Sequence, residues 1–470
     1  MREARAAEYN QQAAQGVNVY EEARRFFISS YSLPANWQIE QSDVAPTVPL
    51  AALEEEIEAR LSDPINSFPL TELCSANTNI VIVCDRLPAD EVRCAILRSV
   101  LARLQQADTA PERVTLLIAS PMDDAATGDQ VPAGTSCLTS LGDYASRIHV
   151  VWHDPDEMRE LDEMGNFEGV PLTINYRAAE ADLLIALCAV QLDDDSCCAG
   201  SCATITLGVV GASTRRELRT TRFYDDRIEP LLARDRPLFQ RVLREGARRA
   251  GLMFALGALV DSAGRALAVR AGAPTSVDDA LADLAVTLRE SSVGAPSYDI
   301  VLAEPNWSKR MGGSLFDASL AAIHISLARN PLLVRGGSLI LPVNRREDDS
   351  ASVRTFYDAL ASAPSPEAVI RQLQGRSLLA GEARAYLLAH AMQRYHLIIA
   401  GPQRERLMHD GHFLSSPSVR EAAELAENFA GKHPRALIVR HALSTVPVFR
   451  GPLFVLDPPG SPEVAPSRWN

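Results

Sequence analysis

The stretch from Asp193 to Gly211 gathers acids, thiols and glycines together, and a row of arginines follows it. Asp193, Asp194 and Asp195 stand side by side, which suits a hard cation such as Mg²⁺ held through oxygen ligands, or simply an acidic turn. Cys197, Cys198 and Cys202 come next in a stretch rich in small residues. A thiolate base or nucleophile fits a helix start near arginines, and small side chains filling space fit the same spacing. A soft-metal site is the weaker alternative, because Cys-Cys-x-x-x-Cys has no second Cys or His cluster nearby. Beyond Gly208-Val209-Val210-Gly211 come Arg215, Arg216, Arg219 and Arg222. On one helix Arg215, Arg219 and Arg222 share a face, which would grip a carboxylate or phosphate or else be a solvated basic face.

These residues need strands and helices to position them. Continuous apolar runs over residues 79–84, 114–119, 148–152 and 183–188 predict buried parallel strands, with helices over residues 53–61 and 89–106. Such strands present ligands at their carboxyl ends, here Asp85-Arg86, Ser120-Pro121-Met122-Asp123-Asp124, His153-Asp154 and Gln191-Leu192-Asp193. Residues 236–251 predict a basic amphipathic helix, and residues 252–274 two strands and a linker. Further strands over 298–303, 337–341 and 396–400 predict a second, smaller α/β domain.

A chain of 470 residues exceeds one hydrophobic core and calls for two domains. The expected division is a helical extension over 1–45, an N-terminal α/β domain over 46–272, a C-terminal α/β domain over 273–445, and a tail over 446–470 returning to the first domain. A net charge of -14 argues against nucleic acid and anionic membranes as partners, and leaves small anionic substrates to local arginines. No apolar window is long enough to span a bilayer and the start is polar, so a cytoplasmic setting is expected. Cys74, Cys84, Cys94, Cys137 and Cys188 fall singly in or beside apolar stretches and read as buried thiols.

Several landmarks stand in order along the chain: Pro64-Ile65-Asn66-Ser67-Phe68-Pro69-Leu70, His153-Asp154, Pro171-Leu172-Thr173-Ile174-Asn175, Ala181-Asp182-Leu183 and Gly208-Val209-Val210-Gly211. Further on come the region from Phe239 to Ala271, Ser314-Leu315-Phe316-Asp317-Ala318 and Val334-Arg335-Gly336-Gly337. Together they resemble the nickel-pincer lactate racemase family. The resemblance implies two α/β domains with parallel sheets, flanked by helices, around an interdomain cleft. In that family a lysine-attached pincer nucleotide holds nickel, a histidine also binds the metal, and two more histidines move the substrate's proton.

In the register of the resemblance each of those positions is replaced. Asp123 and Asp193 stand at the two catalytic histidines. Ala203 stands at the attaching lysine and Arg219 at the nickel-binding histidine. Phe316, Asp317 and Leu320 stand at a tyrosine, a glutamine and a substrate-facing lysine. Alanine has no amine, and arginine offers a metal no lone pair.

The expected function is therefore an isomerase, epimerase or lyase without nickel pincer nucleotide, acting on a small, hydroxy acid-like anion. Asp123 and Asp193 would divide the acid and base roles, as paired carboxylates can when their pKa values are pushed apart. Cys197, Cys198 or Cys202 would assist. Arg86, Arg215, Arg219, Lys309 and Arg310 would hold the anion. The alternatives are a catalytically dead paralogue that binds a ligand or protein, and an enzyme using the aspartates as metal ligands. His153, His324 and His396 read as structural, and His409 and His412, with Asp410 and Gly411 between them, as a turn and not a metal site.

Overall fold

The computed structural model describes residues 31, 33–85, 90–120, 142–192, 200–228, 238–304, 314–328, 331–343, 350–401 and 405–450. Among the described residues the strands are β1 (Gln38–Ser42), β2 (Ile80–Cys84), β3 (Val114–Ile118), β4 (His149–Trp152), β5 (Leu161–Phe167), β6 (Val170–Asn175), β7 (Leu183–Gln191) and β8 (Leu252–Val260), then β9 (Ala266–Gly272), β10 (Glu290–Val293), β11 (Tyr298–Ala303), β12 (Leu333–Pro342), β13 (His396–Ala400), β14 (Leu414–Ser416), β15 (Arg435–Val439) and β16 (Val446–Phe449).

The first sheet has the order β4-β3-β2-β7-β8-β9, parallel from β4 to β8 with β9 antiparallel at the edge. Every residue of β2 is buried, because both sheet faces are covered. Ile80, Ile82 and Cys84 meet the layer of helices Leu53–Ser62 and Glu91–Gln106. Val81 and Val83 meet the opposite layer, with helices Ser201–Thr206 and Leu238–Arg249. Helix Glu91–Gln106 starts where Asp90 accepts the Arg93 amide, and it buries Val92, Ile96, Val100 and Leu104, a single face at helical spacing.

The second sheet is all parallel, in the order β1-β15-β11-β12-β13-β14. The sequence had residues 1–45 as a helical extension, yet Gln38 to Ser42 form a strand registered on Arg435 to Val439. Trp37 and Ile39, two positions apart, put their apolar side chains into the second domain's core.

Two further differences concern the division of the chain. Helix Pro274–Arg289 lies beyond the expected boundary at 272, but Val277, Leu281 and Ala285 pack with Cys188, Val190, Ala255 and Leu259 of the first sheet. The first layer system therefore continues to Arg289. The tail was expected on the first domain, and its described part, β16, pairs instead with β10, which leads into the second. Chain crossings between the two six-stranded sheets thus occur after β1 and around β10. No helix among the described residues is long and apolar enough to cross a membrane.

Candidate functional site

The carboxyl ends of β2, β3 and β7 form the ligand edge of the first sheet. From β2 the chain moves outward to β3, while β7 lies on its other side, so the connections diverge between β2 and β7. Asp85 stands at that point, gripped by Arg93 through Nε at 2.8 Å and Nη2 at 2.5 Å. Arg93 also reaches Asp90 at 2.8 Å and the Ala189 carbonyl at 3.3 Å. Sequence reading passed over this network. Its signal was an acid at a strand end and an arginine in the first turn of the following helix.

After β7, the chain re-enters at Gly200 and helix Ser201–Thr206, all six of whose residues are buried. Asp278, from helix Pro274–Arg289, accepts from the Ser201 amide at 2.7 Å, the Ser201 hydroxyl at 2.8 Å and the Cys202 amide at 3.0 Å. Gly200 has φ +120, and a Cβ there would lie 2.7 Å from Asp278 Oδ1, so only glycine lets the carboxylate come this close.

Cys202 was expected to be a reactive thiolate. It is 4% exposed, and burial together with the Asp278 charge pushes its thiol well above the usual range. The nearest charge has the wrong sign for activation, and the thiol stays protonated. Burial likewise pushes Cys84 and Cys188 up. Cys94, expected to be a free thiol, is disulfide-bonded.

The glycine turn is fixed by the landmark residues. Gly208 accepts from the Ser120 amide at 3.0 Å and Arg215 Nη2 at 3.1 Å, and a Cβ on it would stand 2.3 Å from the Thr204 carbonyl. The Val209 carbonyl accepts the Asn175 amide at 2.9 Å. His153 Nε2 lies 2.9 Å from the Val210 carbonyl, and its Nδ1 3.3 Å from Asn175 Nδ2. Both contacts are satisfied by one neutral tautomer, with the proton on Nε2. Burial lowers the His153 pKa and favours that neutral form. His153, Asn175 and the turn are one brace, which is the structural role the sequence gave this histidine.

The arginine row does not share a helical face. The first helix ends at Leu218, with Arg219 as its cap, and a second begins at Thr221. The break comes from the other domain: the Thr221 amide bonds the Arg376 carbonyl, Thr221 Oγ1 accepts the Gly375 amide, and the Arg219 carbonyl accepts the Leu378 amide. Arg215 is 7% exposed and turns inward, donating to Ser120 and Gly208. Arg222 donates to the Glu168 carbonyl at 2.9 Å and pairs with Glu217 at 3.1 Å.

In the second domain, Ser314 caps helix Leu315–Ser326 by accepting the Asp317 amide, while its hydroxyl lies 3.0 Å from the Asp317 carboxylate. Phe316 packs edge-on against Phe356, with Arg384 over its ring. Leu320 packs against the same core. These three therefore serve helix and core. Asp123, Asp193, Asp194, Asp195, Cys137, Cys197, Cys198, Arg86, Lys309 and Arg310 lie outside the described residues. Among the described residues no group of three or more His, Cys, Asp or Glu could hold a metal ion.

Residues 28–214 match the family model of the lactate racemase N-terminal domain. The lactate racemase apoprotein from Thermoanaerobacterium thermosaccharolyticum superposes with a TM-score of 0.68 at 18% identity, over 88% of this chain and 96% of that one. A Thermotoga maritima protein superposes at 0.56 and 12% identity, over 86% of this chain and all of that one. A search of curated proteins finds no match. This is a two-domain α/β protein of the lactate racemase fold, and residues 28–214 form its lactate racemase N-terminal domain match.

A lysine-attached nickel pincer does not fit the residues present. The chain has only two lysines, Lys309 and Lys432, so the whole first domain lacks an amine to carry the nucleotide. Ala203, in the register of the attaching lysine, is 6% exposed. The first domain has two histidines. His149 opens β4 at the far end of the strand from the ligand edge, and both ring nitrogens of His153 are taken. The lysine count was open to sequence reading and is a stronger signal than any register.

Proposed function

We propose that this chain is an enzyme on the lactate racemase fold that acts on a small carboxylic acid as an isomerase, epimerase or lyase, without the nickel pincer nucleotide. The observation that carries the proposal is the absence of any lysine before Lys309 in a chain whose first domain keeps the family's backbone. Asp123 and Asp193 then take the proton-transfer roles. In support, β3 and β7 both flank β2, so the strand ends leading to these aspartates leave the sheet about 10 Å apart, two strand spacings. With Arg215 turned inward, binding of the substrate anion falls to Arg86, Arg219, Lys309 and Arg310.

Intact-mass and elemental analysis test the first half. An unmodified chain of 51.0 kDa without stoichiometric nickel is expected. A nucleotide adduct overturns the reading. For the second half, solvent deuterium should enter C2 of a 2-hydroxy acid substrate with wild-type protein and not with Asp123→Asn or Asp193→Asn.

A second reading, a ligand- or protein-binding paralogue without catalysis, is favoured by one feature. At the carboxyl edge of the first sheet, polar groups among the described residues are engaged by the protein's own side chains: Asp278 on the helix start, Arg93 on Asp85, and Arg215 on Ser120 and Gly208. Saturable binding of a 2-hydroxy acid without deuterium exchange would select it.

A further inference from the structure

The second sheet has its own point of divergence. From β11 the chain moves to β12 on one side, while β15 lies on the other, and open α/β sheets bind ligands outside the carboxyl ends of such strands. Glu304 follows β11, and Arg440 and His441 follow β15. Beside β15, β1 ends at Ser42, and Asp43 comes next. Four residues from three distant parts of the chain thus meet at one sheet edge.

They meet in two oriented pairs. Glu304 Oε2 accepts from Arg440 Nε at 3.1 Å, and His441 Nδ1 lies 3.1 Å from Asp43 Oδ1. An aspartate on Nδ1 holds the proton there and leaves the Nε2 lone pair as a base. Neither His441 Nε2 nor Glu304 Oε1 has a partner among the described residues. The His441 side chain is 47% exposed and that of Glu304 17%. Burial raises the Glu304 carboxyl, the Asp43 hydrogen bond raises the His441 imidazole, and each group feels the other's charge.

Stability does not account for this histidine. His441 has φ +49, and a side chain held in the left-handed region costs more than a half-exposed ion pair returns. Glycine would sit there without strain. A base with one nitrogen oriented and the other open, beside a half-buried carboxyl and an arginine, is equipment for moving protons on an anion.

We propose that His441 and Glu304 form a proton-transfer site in the second domain for a small 2-oxo acid. Neutral His441 Nε2 takes a proton from the carbon next to the ketone, the C–H electron pair becomes a C=C bond, and the carbonyl π pair moves onto oxygen to give the enolate. The site then holds an enolate, an imidazolium and the Glu304 carboxylate, whose charge supports the imidazolium. The reverse steps return a solvent-exchanged proton to carbon. A 2-oxo acid is required, because imidazole is too weak a base for a proton acidified by a carboxylate alone. Asp43 and Arg440 are positioning residues, and the Arg440 charge favours an anionic ligand. The site uses neither Asp123 nor Asp193 and goes beyond the function proposed above.

The test uses the full chain in D₂O near pH 7 with sodium pyruvate as probe, following loss of the methyl proton signal against the same concentration of free imidazole. Wild-type protein should accelerate exchange. His441→Asn, which tolerates the left-handed backbone, should lower it by roughly 10²- to 10⁴-fold, and Glu304→Gln should lower it too. Asp43→Asn should also slow exchange and move its pH midpoint downward. Independently of any variant, the His441 Nε2 resonance should shift saturably as pyruvate is added. No acceleration over imidazole, no such shift, or wild-type exchange in His441→Asn overturns the site. Exchange lost in Asp123→Asn but kept in His441→Asn overturns it as well, and leaves the first-domain reading standing.

Discussion

The carboxylate of Asp278 lies 2.7 Å from the Ser201 amide nitrogen and closes the start of helix Ser201–Thr206 with a negative charge. That placement explains why Gly200 is glycine, and it adds to the burial that keeps the Cys202 thiol protonated. It also places a fixed carboxylate on the two amides that open this helix.

Asp278→Ala should therefore do two things. Leaving the Ser201 and Cys202 amides without their acceptor should cost about 1–3 kcal/mol, read from urea unfolding. The Cys202 thiol should also fall toward its ordinary pKa, because Asp278 raises it both by charge and by hydrogen bonding. Faster alkylation of Cys202 at pH 8 in native protein is the check. Unchanged alkylation would mean that burial alone controls the thiol.

The His153 brace predicts acid sensitivity. The imidazole is 5% exposed and its folded pKa is depressed by burial, so the unfolded chain binds the proton more readily. Stability should be full above the unfolded value of about 6.5 and should fall as pH drops below it toward the folded pKa. Thermal unfolding between pH 5 and 8 should show this slope in wild type. His153→Gln keeps a donor for Val210 but cannot titrate, so its melting temperature should be lower at pH 8 and flatter toward pH 5.

The His441 pair has the opposite sign. Asp43 raises the imidazole pKa, with Arg440 opposing and Glu304 assisting. The stabilisation is complete below the unfolded pKa of about 6.5 and is lost as pH rises through the folded one. Since both side chains are near a third exposed or more, it should amount to less than about 1 kcal/mol. An NMR titration of His441 should give a pKa above the ordinary value, and Asp43→Asn should return it. Wild type and Asp43→Asn should converge in stability at alkaline pH.

How far the sequence could be read follows from how local each signal is. Residues 79–84 read as a buried strand and form Ile80–Cys84, because an unbroken apolar run between two covered faces needs no distant information. β1 was missed because its partner begins at Arg435, almost the whole chain away, and only Trp37 and Ile39 mark it. The arginine row was misplaced because its helix is broken by backbone bonds to residues 375–378 of the other domain, which no helical period records. The cluster at Asp43, Glu304 and His441 carries no motif, and topology alone assembles it.

Asp85 and Arg93 give the last prediction. Their side chains are 22% and 11% exposed, and the bidentate bond sits where the connections of the first sheet diverge. Arg93→Ala leaves the partly buried Asp85 without its cation, and should cost about 1–3 kcal/mol, the penalty of an unsatisfied buried polar group. Asp85→Asn in that background removes the stranded charge and should recover part of the loss, although the single Asp85→Asn variant is itself destabilised. A double-mutant cycle by urea unfolding reads this as a coupling energy of more than about 1 kcal/mol. Additive losses would mean that the two side chains act separately, and that the divergence point is held by β2 and β7 alone.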